Sequence, residues 1–145
     1  MRLSVCVMAD IDEMDFYPHV ESLGYDSAWV ADSQMLFSVC YAVLALAAQR
    51  TSRLRLGPGV AICGTRIPPV HVAALATRNR LPPGRVHLGM GTGNTAMRTM
   101  GQPPMRIADY AEYLRVLRGL LRGETVDYAF EGKRQPIRML IREKK

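Results

Sequence analysis

Apolar positions along the chain alternate between short dense runs and longer stretches where they recur every three or four residues. Residues 3–9 (LSVCVMA) form a nearly continuous run of strand-forming side chains, which predicts a strand buried on both faces. Residues 14–23 carry Phe16, Val20 and Leu23 at helical spacing and stop at Gly24, which predicts a helix closed by a glycine, with Pro18 tolerated near its start. Residues 28–31 predict a second buried strand ending at Asp32 and Ser33. Residues 39–50 are so apolar that the helix they form must be largely buried. A third strand covers residues 54–62, interrupted by Gly57, Pro58 and Gly59; strand interiors tolerate these poorly, so a bulge or unusual backbone is expected.

Pro68 and Pro69 open a helix that runs to about Leu81 and is stopped by Pro82, Pro83 and Gly84. Residues 86–91 are the fourth strand, leading into Thr92, Gly93 and Asn94. A short helical turn is expected over residues 95–100, ending at Gly101. The last helix spans residues 107–122, with Ile107, Tyr110, Leu114, Leu117 and Leu121 on one stripe and Arg115, Arg118 and Arg122 opposite. Beyond Gly123 the pattern decays. Residues 125–128 and 135–141 fit extended chain, and residues 142–145 read as a charged tail.

The order is strand then helix, repeated four times, and parallel strands need such crossovers. This predicts an α/β fold with a parallel (βα)4 unit, occupying residues 1–145 as a single domain with clear βα units over 1–122 and an irregular or extended tail over 123–145. At 145 residues, with 48% hydrophobic and 22% charged side chains, the composition is that of a packed globular chain rather than a disordered one. The net charge of +6 raises nucleic acid as a partner, but the arginines, Arg50, Arg66, Arg78, Arg85 and Arg106 among them, recur singly instead of clustering. They are expected to form a solvated surface, with no nucleic-acid partner. Cys6, Cys40 and Cys63 make no metal-ligand spacing with His19, His71 or His87. No apolar run approaches the length of a membrane span, and the start of the chain does not fit a signal peptide, so a cytoplasmic location is expected.

Periodicity does not separate a small doubly wound sheet from half of a barrel. Residues 89–93 (GMGTG) superficially suit a dinucleotide-binding turn, but that fingerprint needs a glycine where Asn94 stands. Four other stretches are more specific: residues 23–32 (LGYDSAWVAD), 51–60 (TSRLRLGPGV), 83–93 (PGRVHLGMGTG) and 106–123. In order and spacing they resemble successive blocks of the bacterial luciferase-like monooxygenase family. The branch most similar in the third-strand G-P-G-V and the fourth-strand G-M-G-T-G is that of the deazaflavin-dependent reductases and dehydrogenases.

The resemblance implies the N-terminal half of a TIM (β/α)8 barrel, with a cofactor ring across the C-terminal mouth. The cofactor is expected to be coenzyme F420, a deazaflavin, or else FMN. The function implied is an oxidoreductase that moves hydride between that ring and a small organic substrate. An FMN-dependent monooxygenase is the alternative; so are a non-catalytic half-barrel assembly module and an unrelated nucleotide-binding domain. Such barrels take about 250 residues, so the chain is expected to be a fragment, needing a missing C-terminal half or a homo-oligomeric partner.

A ring at the strand ends implies Ala9, Gly59, Val60, Ala61, Gly91, Thr92, Gly93 and Asn94 as cofactor-binding residues. Asp32, at the family's second-strand position, is the catalytic candidate. The family also implies a non-prolyl cis peptide near Gly59 and Val60, pressing on one ring face, while glycine at 91 and 93 would let backbone approach the ring edge. From the residues alone, Asn94, Asp10 and Asp32 serve equally as helix caps. The family's sugar-phosphate dehydrogenases place a histidine after the second-strand aspartate and an acid after the fourth-strand G-T-G. Here Ser33 and Asn94 stand there, and neither ionises, so that branch's proton transfer is not expected. Nothing near Cys63 in sequence would lower its pKa, so it is expected to be a packed or pocket-lining thiol. His71 and His87 are expected to be structural, and Met8, Met90, Met97 and Met100 to fill core or line an apolar pocket.

Overall fold

The computed structural model describes residues 1–81 and 83–140. Its elements run β1 (Ser4–Val7), α1 (Phe16–Ser22), β2 (Ser27–Val30), α2 (Cys40–Arg50), β3 (Arg55–Pro58), β4 (Ala61–Ile62), a 3-10 turn (Cys63–Thr65), α3 (Pro68–Arg80), β5 (Met90–Gly91), α4 (Asn94–Thr99), α5 (Ile107–Leu121), β6 (Val126–Phe130) and β7 (Lys133–Ile137). The expected stop at Pro82 and the expected charged tail lie outside the described residues.

β1, β2 and β3 pair in parallel, placing Cys6 beside Trp29 and Trp29 beside Gly57. β4 and β5 pair in parallel as well. The two pieces join through the backbone: Leu56 N–H donates to Arg85, His87 N–H to Leu56, Gly89 N–H to Pro58 and Ala61 N–H to Gly89. Residues 85–91 therefore lie along the third strand as expected, although only Met90 and Gly91 have regular strand geometry. The expected break in the third strand is real, because the Gly59–Val60 peptide between β3 and β4 is cis.

Helices α1 and α2 cover one face of this sheet. Tyr17, Val20, Val43, Leu44 and Ala47 pack against Ala28, Val30 and Leu56, all nearly or fully buried. At about 1.5 to 3 kcal/mol for each fully buried Val or Leu side chain, this layer is the principal source of stability for the first three strands. Gly24, at φ +87°, ends α1 in the left-handed conformation that glycine adopts without steric cost. Glu21 then fastens α1 to the next unit. Its carboxylate accepts from the N–H groups of Ser52, Arg53 and Leu54 at the entry to β3. A second core joins Val72 of α3 to Tyr113, Val116, Leu117 and Leu120 of α5 and Val126 of β6.

The structure corrects several expectations. β1 is not buried on both faces; its residues alternate between exposed and half-buried, because it pairs only with β2 and its face opposite the helices is uncovered. The buried stripe of α5 is Tyr113, Val116, Leu117 and Leu120, whereas Ile107 and Leu121 are exposed. The helix carries two apolar stripes, and the one facing α3 and β6 is buried. The segment after Gly123 takes the extended of the two forms expected for it, and what the sequence did not indicate is that β6 and β7 pair as an antiparallel hairpin. Glu131 and Gly132, both at positive φ, make its two-residue turn, which suits the right-handed twist of the strands.

Candidate functional site

The second, third and fourth strands end together. Asp32 follows β2, Gly59 and Val60 separate β3 from β4, and Thr92 and Gly93 lead from β5 into α4. Between them lies a cleft of about 380 Å³, lined by Asp32, Ser33, Gly59, Val60, Ile62 and residues 91–96. Of the residues expected to bind a cofactor, it gathers Gly59, Val60, Gly91, Thr92, Gly93 and Asn94, together with the catalytic candidate Asp32. Ala9 and Ala61 do not line it. Both are buried in packed backbone, with the Ala9 carbonyl accepting from Ser38 N–H and the Ala61 N–H donating to Gly89.

The walls are shaped by close backbone approach. Val60 leaves the cis peptide with 44% of its surface exposed. A Cβ added to Gly91 would lie 2.8 Å from Val60 Cγ2, and one added to Gly59 would lie 2.6 Å from Trp29 Cβ. Glycine is what allows these strands to approach so closely. Asn94 does not take the alternative role of helix cap. Gly93 holds that position, and the Asn94 side chain instead accepts from Arg98 Nε at 2.7 Å. Asp10 caps no helix either; its carboxylate accepts from Asp12 N–H within a turn.

Asp32 is 2% exposed, and both its carboxylate oxygens are engaged. Oδ2 accepts from Arg66 Nη1 at 2.7 Å and from Ile62 N–H at 3.2 Å, and Oδ1 accepts from Gln34 Nε2 at 2.7 Å. Through these bonds Asp32 ties the end of β2 to the Ile62 backbone and to Arg66. Behind it, the Arg66 guanidinium lies 4.8 Å from the Tyr41 ring centroid. The Tyr113 hydroxyl donates to the Arg66 carbonyl at 2.8 Å and contacts His71 Nδ1. Burial, with the positive Arg66 as a smaller contribution, pushes the His71 pKa down to about 4, so its ring is neutral near pH 7. Burial likewise raises the Tyr41 and Tyr113 phenols and lifts the Cys40 thiol to about 12.

Cys63, the thiol beside the cleft, donates to the Gly91 carbonyl at 3.2 Å, and burial raises its pKa, so it is a packed thiol and not a nucleophile. His87 stacks edge-on against Trp29. The surface reading of the arginines fails at three positions. Arg66 is ion-paired with Asp32, Arg78 is 3% exposed and donates to the Leu56 and His87 carbonyls, and Arg85 donates to Leu54 and Ala48. Buried carbonyls at strand ends need donors, and a guanidinium supplies several at once. Neither spacing nor composition marked Arg66, because its partner lies thirty-four residues away in sequence.

A second cleft of about 370 Å³ lies between the 3-10 turn, α5 and the hairpin, walled by Cys63, Met105, Tyr113, Val116 and Tyr128. At its rim Asp109 and Glu112 pair with Arg106 and Arg115. None of the expected cofactor residues reaches it. Among the described residues no group of three His, Cys, Asp or Glu is placed to hold a metal ion, and no helix is long and apolar enough to cross a membrane.

The sequence pattern of the luciferase-like monooxygenase family matches residues 12–144. An F420-dependent glucose-6-phosphate dehydrogenase from Mycobacterium avium is 35% identical over 125 residues, covering 74% of this chain and 37% of that protein. The structure of the coenzyme F420-dependent tetrahydromethanopterin reductase from Methanopyrus kandleri superimposes with a TM-score of 0.77 at 25% identity, over 92% of this chain and 44% of that one. The oxygenating constituent of 3,6-diketocamphane monooxygenase from Pseudomonas putida, in complex with FMN, gives the same TM-score at 15% identity, over 94% of this chain and 43% of that one. The chain thus spans less than half the length of each of these proteins.

Proposed function

The chain belongs to the luciferase-like monooxygenase family, and from that premise we propose that it supplies the N-terminal (βα)4 half of a (β/α)8 barrel oxidoreductase. In this reading residues 1–145 are one partial domain. Its cleft at the strand ends holds the ring of coenzyme F420, or alternatively FMN, against a small organic substrate.

The observation that carries the reading is the chemistry of the cleft walls. They are glycine backbone, one exposed valine and short polar side chains, and Asp32, their only ionisable member, is already paired. Such a lining suits a flat ring whose own atoms do the chemistry. The volume is that of an ordinary ligand pocket. When bound, either cofactor supplies the hydride or electron chemistry. The chain's part is placement: Val60 projects against one ring face, the backbone of residues 91–93 borders its edge, and Asp32 orders the floor through Ile62 N–H. Ser33 and Asn94 carry no titrating group, so proton transfer of the sugar-phosphate dehydrogenase type has no donor in these walls. The F420-dependent relatives favour F420 as the cofactor.

Equilibrium titration of the chain with coenzyme F420 and with FMN, each followed by its own fluorescence, tests this. One F420 bound per chain, more tightly than FMN, is expected. Tighter FMN binding would move the reading to the flavin branch, and a folded chain that binds neither would remove a cofactor role for these residues alone.

A further inference from the structure

The polar chain behind the cleft is longer than packing alone requires. Asp32 Oδ2 holds both Arg66 Nη1 and the N–H of Ile62, which sits just beyond the cis Gly59–Val60 peptide. Arg66 is held in turn by the Tyr41 ring from α2 and, through its own carbonyl, by the Tyr113 hydroxyl from α5, which also meets His71 of α3. The Arg66 side chain is 17% exposed and that of Asp32 is 1% exposed, so water screens the pair little. The titratable groups facing Asp32 are Arg66 from the loop after β4, Cys40 and Tyr41 from α2, and His71 from α3. Arg78, further along α3, is engaged with the Leu56 and His87 carbonyls. Cys40, Tyr41 and His71 are neutral near pH 7, leaving Arg66 as the cation in contact with the carboxylate.

We propose that Arg66 is a positioning residue for the cleft: its ion pair holds the Asp32 carboxylate on the Ile62 N–H, which fixes Val60 and Ile62 in the cleft wall. A buried carboxylate that loses its cation takes up a proton or draws in water. Either change weakens its hold on Ile62 and frees the backbone behind Val60. The lock stands on the ion-pair geometry; its effect on binding rests on the reading of this cleft as the ring site.

The test compares wild type with R66M, R66K, D32N and D32N/R66M. Two readouts are taken at neutral pH: residue-resolved amide exchange without ligand, and the Kd for coenzyme F420. In R66M the Ile62 amide is expected to exchange at least about tenfold faster, while Val30 in the sheet core keeps its protection. R66K restores part of the protection. Coenzyme affinity in R66M falls about tenfold, and R66K recovers part of it. Unchanged Ile62 exchange in R66M overturns the proposal. So does protection lost equally throughout the chain, which marks a merely structural role, and so does a freed Ile62 with undiminished coenzyme affinity. If wild type binds no coenzyme while R66M frees Ile62 alone, the ring-site reading fails and the lock stands.

Discussion

Gly91 and Val60 face each other so closely that no side chain fits between them, and Val60 is thereby fixed where a ring would rest. The G91A variant therefore displaces Val60 with little effect on the sheet core. Coenzyme F420 affinity is expected to fall about tenfold while the urea midpoint moves by less than about 1 kcal/mol equivalent, because the clash involves a half-exposed side chain. His71 makes a separate prediction. Its folded pKa of about 4 lies below the ordinary value of 6.5, so the unfolded chain binds the extra proton first. Stability is then fully present above pH 6.5 and declines as pH falls towards 4. Urea midpoints recorded across that window for wild type and H71F should show a steeper acid decline in wild type; parallel curves would contradict a neutral buried imidazole. Glycines 59, 91 and 93 were legible as residues of the strand ends, and they line the cleft there. Arg66 was not, because a buried ion pair leaves no trace in local spacing.

Between elements, sequence periodicity identified each helix of the first four units but not always the face it buries. For α5 the choice between stripes belongs to α3 and β6, which are distant in sequence. Val116 is fully buried and Ile107 is 75% exposed. V116A should cost about 2 kcal/mol in urea denaturation and I107A less than about 0.5 kcal/mol; the reverse order would restore the stripe expected from sequence. The hairpin escaped notice for a related reason. Its turn uses Glu131-Gly132 in place of the Asn-Gly or Asp-Gly pair that advertises such turns, and β7 contains Pro136, a residue that weakens any strand assignment. The broken third strand was legible, because Gly57, Pro58 and Gly59 stand inside an otherwise strand-like run.

At the scale of the molecule, the parallel sheet packs one face against the helices, and on the other face the β1 residues Ser4 and Cys6 are exposed. Unpaired sheet edges and exposed apolar side chains favour association. The net charge of +6 acquires a different meaning once Arg66, Arg78 and Arg85 are seen to clamp strand ends instead of coating the surface. In the function proposed above, the ring would lie on Val60 and along residues 91–93. Its most direct test is a map of backbone amide shifts as coenzyme F420 is added to the isotope-labelled chain. Shifts concentrated at Gly59, Val60, Ile62 and Gly91 to Asn94 are predicted; shifts concentrated instead at Cys63, Tyr113 and Tyr128, around the cleft beside the hairpin, would contradict it.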